Sequence, residues 1–301
     1  MVEIPIGIGD AAAQRRYIEA HTSFLKEYPA LRVVIERISL RTLEPPKEEF
    51  DRVRDLPDDD PAVVAVEDKW FAEITVFGLG RIIADDFSEV LTLAGNAYGI
   101  GALKIVRGMY ERLVTAAYIA KKPSEARPFI EDDAIKRWKL WRQALSVLPN
   151  LKNNVPKEKL DELEAEYNRV RASRKDSICN KCGQPKTQEA WTRVDMATMA
   201  KEADPNLAAL HGECYLIPTF HSHATGFNLN ERFQRTEGGN SYQEMSEKEA
   251  NKATKLAHLV LIRHLTLQNE YFKLGLDAEI QPRIDAFVPI WRREDGAARG
   301  T

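Results

Sequence analysis

From Ala62 to about residue 146 the apolar residues recur at the spacing of an α-helix, and this run constrains the fold more than any other feature. Residues 100–121 are its clearest part. Ala102, Val106, Met109, Leu113, Ala116 and Ala120 form an i, i+3/i+4 stripe, and Pro123 lies just past the end. Residues 62–95 carry Val66, Trp70, Ile74, Phe77 and Ile82 at the same spacing, with Gly78 and Gly80 marking a close helix contact or a break. A third helix over 124–146 holds Trp138 and Trp141, and a fourth over 156–175 is mostly charged with a thin apolar stripe. Helices this long bury their apolar faces on one another, so the expected class is all-α, a multi-helix bundle.

The flanks are less regular. Residues 10–27 predict a helix that starts at Asp10 and stops at Pro29, whereas 31–43 read equally as strand or helix. EPP at 44–46 and LPDDDP at 56–61 punctuate a short charged helix, which makes 1–60 an appendage and linker to a bundle domain over 61–292. Residues 176–190 form a loop or knuckle around CNKCG, a further helix covers 191–203, and 226–245 read as a loop. Ser246 and Glu249 make a capping box that opens a long helix to about Leu274. A short helix from Asp277 ends near Trp291, and 293–301 read as a disordered tail.

Residues 205–225, PNLAALHGECYLIPTFHSHAT, concentrate the chemistry: three of six histidines and one of three cysteines. In one helical phase His211, Cys214 and His221 share a face, although Pro218 must kink or end a regular helix. The other two thiols lie upstream in a C-x-x-C turn. Cys179, Cys182, His211 and Cys214 therefore form a Cys₃His set within 36 residues, the donor chemistry of a closed structural zinc site that would pin the 176–214 knuckle. The structural alternative is a buried-cysteine cluster with a solvated His211. His221 and His223 point apart on a helix but to one side in an extended chain, and His221 is a candidate general acid/base or, equally, a satisfied loop-corner histidine.

Arg107 and Glu111 stand four apart on the best helix. They fit an anion-binding pair, or an intrahelical salt bridge on a solvated face. Arg16 and His21 match the R-x4–6-H spacing of helical ribonucleases, a match expected by chance among this many arginines. Lys136, Arg137, Lys139 and Arg142 flank the two tryptophans as a local basic strip that can touch nucleic acid or simply be solvated. The sequence has no Gly-rich phosphate loop, nucleophile elbow or H-E-x-x-H.

A net charge of −3 gives no global field for nucleic acid, so any such contact must be local. Three cysteines, two of them in C-x-x-C, suit a reducing cytoplasm, and the N-terminus does not read as a secretory signal. The most apolar region, 71–120, is broken by charges such as Glu73, Arg81 and Asp85, so no membrane partner is expected.

The segment ALKIVRGMYERLVTAAYIAKKP resembles the R-x-x-x-E helix of a bacterial, mostly helical family, domain-of-unknown-function family 5677. Trp191, VDMATMAKEA and then Tyr215 with His221 resemble its W…Y-x-x-S-x-x-H segment. Pro218 stands where that family carries serine, which puts a hydroxyl role in doubt. The resemblance, over about 70–270, implies that Arg107, Glu111, Tyr215 and His221 line one pocket. Convergent arginine, glutamate and histidine between helices are similar in type to the metal-independent ribonuclease domains of the HEPN superfamily, used in phage defence.

The expectation is an endoribonuclease acting on RNA in a defence or stress setting. Arg107 would hold phosphate, Glu111 would orient it, His221 would be acid/base, and Tyr215, Tyr118 and His223 would contact substrate. The alternative is a non-catalytic, zinc-stabilised helical module that binds a protein partner or small ligand, with a homodimer as one form.

Overall fold

A computed structural model describes residues 11–174, 177–178, 185–186, 190–223, 226–236, 239–242 and 246–298. In chain order the elements are α1 (Ala11–Ala20), α2 (Thr22–Ser39), α3 (Lys47–Val53), α4 (Pro61–Gly95), α5 (Gly99–Lys121), α6 (Ala126–Val147) and α7 (Lys157–Ser173). The short strands β1 (Ser177–Ile178) and β2 (Pro185–Lys186) follow, then α8 (Met196–Ala203), α9 (Pro205–His211), a π-helical turn Gly212–Leu216 and α10 (Ile217–Ser222). The chain continues through α11 (Gly226–Arg232), β3 (Phe233–Thr236), β4 (Gly239–Tyr242), α12 (Glu247–Phe272) and α13 (Asp277–Ala298). The class is all-α, a multi-helix bundle. β1–β2 and β3–β4 are two small antiparallel ribbons, the second with Phe233 opposite Tyr242. None of the described helices is long and apolar enough to cross a membrane.

The chain divides into two compact units. One comprises Met1–Glu44, Val76–Ala120 and Met196–Thr301; the other comprises Pro45–Thr75 and Lys121–Asp195. The described residues before 45 contribute buried side chains to the first unit. Phe24, Leu31, Val34 and Ile38 of α2 are buried, and α2 packs on α12 and α13. The stretch 31–43, ambiguous in sequence, is helical to Ser39, and Pro29 lies inside α2 instead of ending it. The break falls earlier, at His21, because buried anchors on both sides of Pro29 hold that helix against the loss of one hydrogen bond. The stretch 226–245, expected as a loop, contains α11 and the β3–β4 ribbon, and α13 runs past Trp291 to Ala298.

In this unit Phe24, Phe87, Phe287 and Trp291 surround His258, and Trp291 Nε1 donates to His258 Nδ1 at 3.0 Å. Farther along α12, the fully buried His264 lies against Gly80. A Cβ on that glycine would overlap the imidazole and come within 2.6 Å of Gln268 Nε2, so Gly80 of α4 is a contact glycine, not a break. Gln268 donates to Val76 O at 2.7 Å and accepts from Arg41 at 3.2 Å, while Arg41 Cζ stands 3.6 Å from the Phe272 ring centroid.

Burial lowers both His258 and His264 to about 3, with the Arg41 charge adding to the effect at His264. Unfolded, the same rings titrate near ~6.5, so between ~6.5 and ~3 the unfolded chain binds more protons. The stability held by the neutral rings is complete above ~6.5 and drains away as pH falls, by on the order of 3 kcal/mol per histidine at pH ~4. In urea melts, His258→Phe should flatten the loss of stability between pH 6 and 4. A slope identical to that of the native protein would contradict this assignment.

The second unit is built on the α6–α7 pair. Ala134, Ile135 and Val170 are buried with Tyr167 against them, and Trp138 stacks on Tyr167 at 5.6 Å. Asp132 is buried between Arg174 at 2.7 Å and Lys136 at 2.9 Å, so its charge is paired twice. Arg127 pairs with Glu67 and Asp68 and lies over Phe71.

Candidate functional site

The middle of α5 presents Arg107, Tyr110 and Glu111, one helical turn of half-buried and buried positions. Arg107 Nε and Nη2 both donate to Glu111 Oε1, at 3.0 and 2.9 Å. Of the five guanidinium N–H groups, two are used in this way, and no other hydrogen bond from the Arg107 guanidinium is present among the described residues. The rest of the fork can receive a carboxylate or phosphate. Behind it, Gly108 leaves room for Arg112 to lie along the helix and pair with Asp86 at 2.6 Å; a Cβ there would come within 2.7 Å of Arg112 Nη1.

The facing wall is α9 with the π turn. Asp204 caps α9 by accepting from Asn206 N at 2.9 Å, with Pro205 at the first turn where its missing N–H is harmless. Gly212–Leu216 then widens into π geometry, closed by Ile217 N donating to Gly212 O. The wider turn relieves the clash that the Pro218 ring would make in a regular helix, and the chain continues as α10 through Pro218 to Ser222. The expected disruption at Pro218 is thus displaced one turn earlier, and the helix does not end there.

This geometry lays His211 on Tyr215, ring centroids 4.9 Å apart and 27° from parallel. Arg107 Cζ stands 5.2 Å over the same Tyr215 ring. Tyr110 is buried, donates its hydroxyl hydrogen to Leu207 O at 2.9 Å, and has its oxygen 3.4 Å from His211 Nδ1. Burial, reinforced by Cys214, raises the Tyr110 phenol well above its ordinary value, so it stays protonated. Its single hydrogen is committed to Leu207, which makes His211 Nδ1 the donor in the second contact. Arg107, Glu111, Tyr110, His211 and Tyr215 are therefore one connected cluster.

The other residues singled out from the sequence differ in their burial. His221 is 3% exposed, in the last turn of α10, and His223 is exposed just beyond it in extended backbone. The two imidazoles thus differ in surroundings. Tyr118 is buried on α5. Cys214 is wholly buried, and burial pushes its thiol up to about 12, with Glu213 adding to the effect. A thiolate there requires a cation in contact, which zinc would provide. Imidazole and thiolate are zinc donors by type, so His211 and Cys214 are the described half of the Cys₃His set. Cys179 and Cys182 lie outside the described residues, and among those described no group of three His, Cys, Asp or Glu side chains could hold a metal.

Tyr110 is the member that sequence reasoning missed. Its signal was present: a tyrosine three residues after Arg107, on the buried stripe of the best helix, needs a hydrogen-bond partner for its hydroxyl.

The family described as "Family of unknown function (DUF5677)" matches residues 74–241, more than half of the 301-residue chain and inclusive of every member of this cluster. No curated protein and no solved structure matches the chain.

Proposed function

This chain belongs to the family of unknown function DUF5677, and from that premise we propose that it is a metal-independent endoribonuclease, distantly HEPN-like, with its active site at the Arg107–His211 cluster. The observation that carries this reading is the Tyr215 ring, which touches both Arg107 and His211. A phosphate-binding cation and a proton-transfer group are thereby fixed on one support. Arg107 holds the scissile phosphate and stabilises the charge that grows on it, and Glu111 fixes the guanidinium. His211 takes the acid/base role that the sequence suggested for His221. Tyr110 holds its Nδ1–H and so presents Nε2 to the 2′-hydroxyl or leaving oxygen. The buried His221 then serves the packing of α10. A setting in phage defence or stress response belongs to the same reading and rests on the HEPN likeness alone.

The second reading, a non-catalytic zinc-stabilised module that binds a protein partner or small ligand, is supported by the buried Cys214 three residues after His211. Both readings claim His211 Nε2, so chelation separates them. Purified protein, dialysed against EDTA, should keep its melting temperature and cleave a single-stranded RNA. A collapse in melting temperature with loss of about one zinc per chain, and no cleavage before or after, would transfer the site to the zinc reading.

A further inference from the structure

We propose that Lys104 holds the phosphate next to the scissile one, so that the site takes a strand with at least two phosphates in succession; this rests on the ribonuclease reading. Lys104 stands on α5 three residues before Arg107. Residues at that separation are neighbours on one side of a helix, with Cβ atoms about 5–6 Å apart. Lys104 is exposed, whereas Leu103 and Val106 on the other side of the same turns are buried. The ammonium is thus carried on the open side of α5, beside the guanidinium that receives the scissile phosphate.

The charge of Lys104 is not spent within its own helix. The positions one turn away are Ile100, Gly101, Arg107 and Gly108, and none carries a carboxylate. Glu111 is the one acidic residue between Gly99 and Ala120, and it is taken by Arg107. Arg112 is in turn taken up by Asp86 of α4. No ion pair or hydrogen bond of the Lys104 ammonium is present among the described residues. One free cation therefore adjoins one cation whose direction is already fixed. The two suit different duties. The Arg107 fork, set by Glu111, fixes one phosphate in orientation, as the reacting group requires. Lys104 is a point charge on a flexible stem, which tolerates the varied backbone of a single strand at the neighbouring phosphate. A substrate with a single phosphodiester has nothing for Lys104 to hold.

The test uses full-length protein and two substrates: UpU, which has the scissile phosphate alone, and UpUpU, which adds a neighbour. Lys104→Ala should lower kcat/KM for UpUpU by about fivefold at ~0.1 M NaCl and leave that for UpU at the native value. With an oligouridylate 20-mer, the log–log salt slope of kcat/KM should become shallower by about 0.7, the share of one phosphate contact on a single strand. Lys104→Arg keeps the cation and should stay close to native on every substrate. Lys26→Ala removes an exposed cation of α2 and should change none of these readings. An equal fall on UpU and UpUpU, or no fall on either, overturns the assignment. The two proposals fail separately. Cleavage of UpUpU that ignores Lys104 keeps the nuclease and removes the second phosphate subsite. If neither substrate is cut, anisotropy of a fluorescein-labelled oligodeoxyuridylate 20-mer decides. Binding weakened about fivefold by Lys104→Ala keeps the subsite without the nuclease, and binding that ignores Lys104 removes both.

Discussion

Arg107→Ala should lower the rate of RNA cleavage by about 10²–10³-fold, the typical cost of removing a donor aimed at charge that develops in the transition state. The fold should survive. The Arg107–Glu111 pair is an i, i+4 bridge with 23% and 35% of its side-chain surface exposed, and such pairs contribute at most about 1 kcal/mol to stability. Arg107→Lys keeps the charge and loses the planar fork, so it should fall between the native protein and alanine. His211→Ala should lose cleavage to a similar degree with its helix content retained. His221→Ala opens a cavity in place of a buried ring and should show mainly as a lower melting temperature. Single-turnover cleavage and thermal melts of the four variants decide the matter. If Arg107→Ala cuts within about threefold of the native rate, the site assignment is wrong.

Gly99→Ala should be among the most destabilising changes in the chain, on the order of 3 kcal/mol or more. α5 begins at Gly99 against the start of α12, where Ser246 N donates to Ala97 O at 2.9 Å. A Cβ on Gly99 would overlap the backbone of Glu249 and Ala250 and come within 2.6 Å of Ser246 O. Main chain cannot step aside as a side-chain tip can, so α5 and α12 must separate. Two residues on, Gly101 offers the opposite outcome. A Cβ there meets Leu93 Cδ1 at an ordinary 3.6 Å, and Gly101→Ala should stabilise by up to about 1 kcal/mol through helix propensity and the reduced freedom of the unfolded chain. Denaturant melts of both variants give the comparison. Equal stabilities would mean that the α5–α12 approach is looser than this geometry. The change also bears on the site, since α5 carries Arg107, Tyr110 and Glu111.

The fold was legible where one local signal sufficed. The stripe from Ala102 to Ala120 gave α5 within a residue or so. Ser246, whose side chain accepts from Glu249 N at 3.3 Å, gave the start of α12. It was illegible where tertiary packing overrode a local rule, as at Pro29, which strong apolar anchors carry inside α2. The same holds for the site. Arg107 and Glu111 were visible as a helical pair, but whether that pair faced a partner depended on α9 and the π turn, which are about 100 residues away in sequence. His221 attracted attention because regular periodicity puts it in phase with His211 and Cys214. Nothing in residue spacing announces that the count slips by one between them.

That slip has a consequence for tolerance to length changes. A π turn holds one more residue per turn than its surroundings, so Gly212–Leu216 works as a built-in insertion. Deleting one residue there would cancel the insertion and return the turn to regular α-helical bonding, with α10 left in phase. The Pro218 ring would then meet the carbonyl four residues before it, a clash that the widened turn now avoids. A single-codon deletion in this wall would therefore act through the proline and not through a rotation of α10.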